Sequence, residues 1–570
     1  MADVKKIRRD LYLASLTLTN LNLFHAAKWC TEALNGLGPC KEPFDYPALQ
    51  LLEDEQADEF QFLLAKSYFN CKEFLRASRA LQSCRSGNAF FFKLYSLYIG
   101  LDKQVTEELD GIVNLNPKSS NIDGEDAMQK SPEVSDEVKK AYVTIILDTE
   151  NFMAEHGQEN PFLFYLLGII YNRKSCALVA QQNLARSLEL FPYNWSCWQE
   201  LISTFFSYND VAEFIETTKN SAPTLANNIM FLIFQAVALQ EFYQEQPNFE
   251  ESINHLTTVF PKFAFLKVQK FLVAYHRLDY YLAESIFNDI LLTDPMRLDD
   301  LDAYSNMLYV MEKKSKLSYL AQYASNIDKF RFETCCVIAN YHSMKGEHDK
   351  SIMYYIRALT LNKNCLSAWT LMGHEFVEIK NSHAAIESYR RAVDINPKDF
   401  RAWYGLGQAY EVLDMHLYAL YFYQKASNLQ STDKRMWQAI GNCFEKIDKL
   451  EEAIQSFEKA LALDNINKIN DGSKLFSAEP HICYKLAVIS EKLGRQRETY
   501  KYMRLCFEQE VEWGITDEIS KARLWLARHA LENKRYEEAY ELAKEFHLTN
   551  ATSVEEARAI AKEARGRMVR

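Results

Sequence analysis

"AWTLMGHEFVEIKNSHAAIESYRRAVDINP", residues 368–397, holds a glycine, Gly373, in the middle of what otherwise reads as a helix. Glycine in a helix interior costs roughly 1 kcal/mol against alanine, so packing has to compensate. The stretch also carries His374 and Glu375, the opening pair of an HExxH zinc-binding helix. That pattern needs a second histidine at position 378, where Glu378 stands, so the metal reading fails. The same positions recur down the chain instead. Trp369, Trp403 and Trp437 lie 34 residues apart, and Gly373, Gly407 and Gly441 follow each by four. Phe376, Tyr410 and Phe444 come next, then Ala385, Ala419 and Ala453. Tyr389, Tyr423 and Phe457 close the pattern with Ala392, Ala426 and Ala460.

Six positions in phase over three units are the tetratricopeptide signature of tryptophan, glycine, aromatic, alanine, aromatic, alanine. Tryptophan, glycine and the first aromatic share one face of a first helix at i, i+4, i+7, and the second set shares a face of its antiparallel partner. Gly373 is then a contact point where a side chain would hold two helices apart, and Pro397 stops the second helix. The grid extends upstream through Cys335, Ala339, Ser351, Tyr355 and Ala358, and through Phe164, Gly168, Tyr171 and Ala180 to Trp198. Ala283 and Phe287, Ala65 and Ala77, and Ala527, Ala539 and Ala543 also fit. The fold expected is an all-α tetratricopeptide solenoid, a right-handed superhelix of about eleven helix-turn-helix units.

Breaks in the grid divide the chain. Residues 1–115 form an N-terminal helical, repeat-like region, and polar, breaker-rich 116–135 reads as a flexible loop or linker. Repeat units occupy 136–260, a central and C-terminal superhelix 261–465, an inserted loop 466–480, and repeat-like units with a tail 481–570. Glycine (17) and proline (13) are scarce for 570 residues, where average usage gives about 7% and 5%. Helices joined by short turns follow.

A formal net charge of −12 argues against a nucleic-acid binder, which would show a basic stripe. The twelve cysteines include no CxxC pair and no zinc spacing, and read as buried thiols of a reducing compartment. "MADVKKIRRD" lacks the apolar core of a signal peptide, and "NIMFLIFQAVALQ" is too short to span a bilayer. The setting expected is nucleus and cytoplasm, with no membrane. Gly405 and Gly407 are only a fragment of a phosphate-binding pattern, on a helix rather than after a strand. His342, His348 and His383 fall in or beside turns, where solvated roles suit them. No catalytic residue, metal or cofactor is expected.

What remains is recognition. In a stacked array the first helix of each unit lines a concave surface. Residues beside the signature positions point into it: Asn340 and Ser343; Thr370, His374 and Glu378; Tyr404, Gln408 and Glu411; Gln438, Asn442 and Glu445. Amides would hold an extended peptide backbone while carboxylates took an arginine or lysine.

The stretch from "DAYSNMLYVMEKKSKLSYLAQYASNIDKFRFETCCVIANYHSMKGEHDKSIMYYIRAL" through "RAWYGLGQAYE" closely resembles the cell-division-cycle protein 23 type subunit of the anaphase-promoting complex. "IRRDLYLASLTLTNLNLFHAAKWCTEAL" resembles that family's opening segment. The resemblance implies a non-catalytic scaffold in a multi-subunit ubiquitin ligase that controls mitosis, partnered by tetratricopeptide, cullin and RING subunits. It implies a homodimer joined through N-terminal repeats, and a C-terminal groove receiving an arginine-bearing motif of the activator protein. Carried onto this sequence, Asn340, His374, Glu375, Glu378, Tyr404, Gln408 and Glu411 are the candidates to line that groove. The alternative is a co-chaperone or other tetratricopeptide adaptor gripping an acidic peptide, although such grooves use Lys and Arg clamps where this one has Glu. A repeat-bearing enzyme would need a nucleotide-binding segment, and no stretch supplies one.

Overall fold

Helices joined by turns of a few residues account for the described residues, among which no strand occurs. The computed structural model describes residues 4–38, 53–84, 86–109, 136–157, 159–242, 247–277, 279–431, 433–470, 478–544 and 551–568. The linker read at 116–135 lies outside them. The chain divides into two compact units, Met1–Lys345 and Gly346–Arg570, whereas the sequence grid suggests a division at 260.

The second unit shows how the repeat works. Its clearest hairpins pair Leu366–Glu378 with Ser382–Ile395, Phe400–Val412 with His416–Leu429, and Lys434–Lys446 with Leu450–Asn470. The first helices of the second and third open on Asp399 and Asp433, whose carboxylates accept from the backbone N–H of Arg401 and Arg435. The tryptophans do more than fill space. Each indole N–H donates to a carbonyl six residues upstream, Trp369 to Lys363 at 2.9 Å, Trp403 to Pro397 at 2.8 Å and Trp437 to Ser431 at 3.0 Å. The signature residue therefore fastens each first helix to the turn that precedes it.

Between the two helices of a hairpin the backbone passes through the left-handed region at Lys380, Asp414 and Asp448, one repeat apart. This single residue reverses the chain and satisfies the carbonyls left open at the helix end. Ala385, Ala419 and Ala453 on the second helices are fully buried, as are Tyr389, Tyr423 and Phe457. A Cβ at Gly373 would sit 2.6 Å from the Tyr389 ring, and one at Gly407 only 2.4 Å from Tyr423. Gly405 meets Tyr389 from the other side, where a Cβ would lie 2.4 Å away. The Tyr389 ring is thus wedged between two glycines on successive first helices. Gly405, in sequence only a fragment of a phosphate-binding pattern, is a seat for that ring.

The stretch assigned to an inserted loop at 466–480 begins as helix, because Leu450–Asn470 continues into it. Residues 471–477 lie outside the described residues, and Pro480 opens the next helix, Pro480–Lys492. In the segment read as repeat-like units with a tail, 481–570, the last described helix, Ala551–Met568, buries Ala557, Ile560 and Ala564. Its apolar face covers core residues of the preceding hairpin, Ala527, Ala530, Ala539 and Ala543.

In the first unit the periodic grid continues, with Ala65, Ala77, Ala180 and Ala283 fully buried and Trp198 donating to the Pro192 carbonyl at 2.8 Å. "NIMFLIFQAVALQ" lies within a helix, Ile229–Glu241, buried on nearly all sides. The N-terminal hairpin, Val4–Asn20 with Phe24–Gly36, packs against distant partners. Trp29 stacks on Trp195 at 4.8 Å, Lys262 N–H donates to the Gly36 carbonyl at 3.2 Å, and Lys28 pairs with Asp299 at 2.7 Å. Gly36 permits this contact, since a Cβ there would come within 2.6 Å of Phe263. Among the described cysteines only Cys71 and Cys176 are exposed, and none is in a disulfide. Burial pushes the Cys30, Cys443 and Cys506 thiols up to about 12, which keeps them unreactive.

Gly373→Ala should destabilise the hairpin 366–395 by about 1–3 kcal/mol, because the ring it would displace is blocked by Gly405. Faster amide hydrogen exchange confined to that hairpin and its neighbours is the expected readout. Trp403→Phe, which removes the indole donor and part of the ring stacked on Phe422, should cost about 1–2 kcal/mol by the same measurement.

Candidate peptide-binding surface

The candidate residues of the second unit sit on three successive first helices, at spacings that place Tyr404, Gln408 and Glu411, and Gln438, Asn442 and Glu445, on one face of each. Their surroundings separate them into three groups. Glu378 is exposed, while His374, Tyr404, Gln408, Glu411, Gln438, Asn442 and Glu445 are half-buried. Thr370 is buried and returns its hydroxyl to the Leu366 carbonyl of its own helix at 3.1 Å.

Glu375 is corrected by the structure. It is buried, and its carboxylate meets His348 Nδ1 at 2.8 Å. The pair ties the start of helix His348–Leu361 to helix Leu366–Glu378, so Glu375 joins hairpins rather than lining a surface. His348 is likewise a structural partner and not a solvated turn residue. His383 is exposed and His342 half-buried.

In the first unit, Asn340 and Ser343 lie on helix Phe332–Met344 and both are buried. Asn340 donates to Ser305 Oγ at 2.8 Å and Ser343 to the Tyr309 hydroxyl at 3.2 Å. Both side chains are committed to the neighbouring helix Leu301–Val310. A polar residue at a periodic position is equally suited to a groove and to a helix–helix hydrogen bond, and burial decides for the second.

The core tyrosines reach the candidate face from behind. The Tyr389 hydroxyl hydrogen-bonds with His374 Nδ1 at 2.8 Å, and the Tyr423 hydroxyl donates to Glu411 at 2.7 Å. Each phenol therefore runs from its glycine seat to a polar group on the first helix and fixes that group's rotamer. Desolvation, reinforced by the positive charge of Arg401, lowers the His374 pKa from 6.5 to about 4, so the imidazole is neutral at pH 7. Burial and the Glu411 carboxylate push the Tyr423 hydroxyl well above its ordinary range, so it remains a donor.

Charges that sequence reading passed over complete the surface. Arg401 bonds Asp399 at 3.1 Å, and Arg435 bonds Asp433 at 2.8 Å. The signal was present as Asp-x-Arg ahead of Trp403 and Trp437, one repeat apart. Glu445 accepts from Lys485 at 2.8 Å and from Lys492 at 3.3 Å. Burial opposes its ionisation, yet those two hydrogen bonds hold its carboxyl below the usual range. Gln438 donates to Glu479 at 3.0 Å. Glu378 is thus the candidate carboxylate most available to a ligand. Among the described residues no cluster of His, Cys, Asp or Glu is arranged to hold a metal, and no helix is long and apolar enough to cross a membrane.

Stacked helical hairpins with polar residues presented from their first helices define a tetratricopeptide protein. Tetratricopeptide models match residues 332–365, 373–413 and 434–467. A family model described as anaphase promoting complex subunit 8 / Cdc23 matches residues 6–271. The anaphase-promoting complex subunit CDC23 of Saccharomyces cerevisiae is 40% identical over 630 aligned residues, covering 99% of each chain. Anaphase-promoting complex subunit 8 of Dictyostelium discoideum is 30% identical, over 67% of this chain and 70% of its own. A crystal structure of the APC/C hetero-tetramer Cut9-Hcn1 superimposes with a TM-score of 0.51 at 14% identity, over 90% of this chain and 96% of that one, a likeness of fold. This chain belongs to the anaphase-promoting complex subunit 8 / Cdc23 family.

Because the folded chain resists protonating His374 until about pH 4 while the unfolded chain binds that proton near 6.5, stability falls as pH drops through that window. His374→Gln should flatten this part of the decline. Thermal midpoints of both proteins between pH 4 and 7 test it, the two curves converging above about pH 7 once allowance is made for a constant offset.

Proposed function

We propose that this chain is a non-catalytic scaffold subunit of an anaphase-promoting complex, a multi-subunit ubiquitin ligase of mitosis, working in nucleus and cytoplasm. Its partners are the tetratricopeptide, cullin and RING subunits of that assembly, and it pairs with a second copy through its N-terminal repeats. The observation that carries this reading is the 40% identity to a named subunit of that complex along 99% of both chains. A relative matched end to end supports the role of the whole chain, where a shared repeat alone would support only peptide binding.

Within the second unit, Glu378 and Glu411 dock the arginine-bearing motif of the activator, beside Tyr404 and Gln408. A guanidinium suits this setting because its planar fork pairs with carboxylates and stacks on aromatic faces. The rival reading, an adaptor for acidic peptides, would have to recruit Arg401 and Arg435. Both are already held by the aspartates that cap their helices, which weighs against it.

Replacing Glu378 by Lys and Glu411 by Gln together should weaken binding of an activator peptide to the full chain by about tenfold or more. The same peptide with its arginine changed to alanine should bind the wild-type and double-variant chains equally poorly. Unchanged affinity in the double variant, or tighter binding of an acidic tail peptide than of the arginine peptide, would overturn the docking assignment.

A further inference from the structure

The repeat length itself exposes a feature that stacking does not require. Left-handed turn residues recur every 34 residues at Lys380, Asp414 and Asp448, but Gly494 and Lys534 are 40 apart. The six additional residues fall between helices Gln496–Glu508 and Asp517–Glu532 and include the short turn Glu510–Trp513. This insertion is apolar and faces outward. Val511 is 88% exposed, Ile515 56% and Trp513 46%. A solenoid gains nothing from carrying such side chains in water, and compact apolar projections with polar surroundings mark contact sites.

The projection is also built to hold its shape. Gln509 at its base is buried and accepts from the Ala478 backbone N–H at 2.8 Å. Glu510 pairs with Arg523 at 3.4 Å, and Arg523 in turn donates to the Leu542 carbonyl at 2.9 Å. On the far side Thr516 caps helix Asp517–Glu532 through the Ile519 N–H. Between these anchors Gly514 turns the chain at φ +72°, with open space around it. An apolar knuckle held at both ends loses little entropy on binding.

Charge narrows the occupant. Glu512 and Asp517 flank the apolar residues, both exposed and without an ion pair among the described residues. We propose that the 509–517 turn is a docking knuckle for a basic, apolar segment of another polypeptide, whose leucine-like side chains cover Val511, Trp513 and Ile515 while its lysines or arginines meet Glu512 and Asp517. This surface is separate from the Glu378 and Glu411 carboxylates and does not depend on the activator reading.

The test uses the full-length chain and two dye-labelled synthetic amphipathic helices, one of leucine and lysine and one of leucine and glutamate, read by fluorescence anisotropy at physiological salt. The leucine–lysine peptide should bind saturably, and V511S/I515S should weaken it at least about tenfold. E512K/D517K should weaken it by a similar factor, and the leucine–glutamate peptide should bind far less tightly. The substituted side chains are exposed, so the thermal midpoint of each variant should match that of the wild type. Unchanged affinity in both double variants would mean that the lysine peptide reads only the overall charge of −12 and would overturn the proposal. Equal binding of the glutamate peptide would overturn it as well. So would self-association of the chain that V511S/I515S abolishes in sedimentation, since the occupant would then be a second copy.

Discussion

An aromatic ring seated on a glycine sets the geometry on which the second unit depends. Tyr389 lies against Gly373 of its own hairpin and Gly405 of the next, at distances that leave no room for a methyl group. Interiors packed at crystal-like density do not absorb an added carbon without moving a helix. The ring therefore fixes two spacings at once, within a hairpin and between neighbours. Tyr423 on Gly407 and Phe457 on Gly441 repeat the device. The propensity cost of glycine in a helix, roughly 1 kcal/mol each, is offset by burying a large aromatic side chain completely.

The same rings connect core to surface. Where the aromatic is tyrosine, its hydroxyl crosses the hairpin and holds His374 or Glu411 on the outward face of the first helix. A phenol clamped at one end by packing and at the other by a hydrogen bond makes a stiff support for a binding residue. The phenylalanine at 457 cannot do this. In that hairpin Glu445 is positioned by Lys485 and Lys492 of the following helix, which also neutralise it. The support given to the polar residues of each first helix therefore differs along the unit with the aromatic each repeat carries.

Much of this architecture was legible in the sequence because tryptophan, glycine and alanine recur at a period only one packing scheme explains. The polar candidates were less legible. Asn340 and Glu375 are hydrophilic at groove-like positions and His348 lies beside a turn, yet each is spent on a contact with a neighbouring helix, and a helical wheel cannot tell a partner helix from water. The pinning of Arg401 and Arg435 by capping aspartates could have been read from Asp-x-Arg at a 34-residue interval. The return of the N-terminal hairpin onto Trp195 and Phe263 could not, since it pairs residues far apart in the chain with no periodic trace. The apolar turn at 511–515 is marked only by the lengthening of the repeat from 34 to 40 residues between left-handed turn residues.

The proposed role is that of a scaffold whose partners supply the ligase activity. Purification of the tagged full-length chain from dividing cells, followed by mass spectrometry of the intact assembly, tests this most directly. It should recover cullin-like and RING subunits together with other tetratricopeptide subunits in fixed stoichiometry. Recovery of chaperones with no cullin or RING component would contradict it.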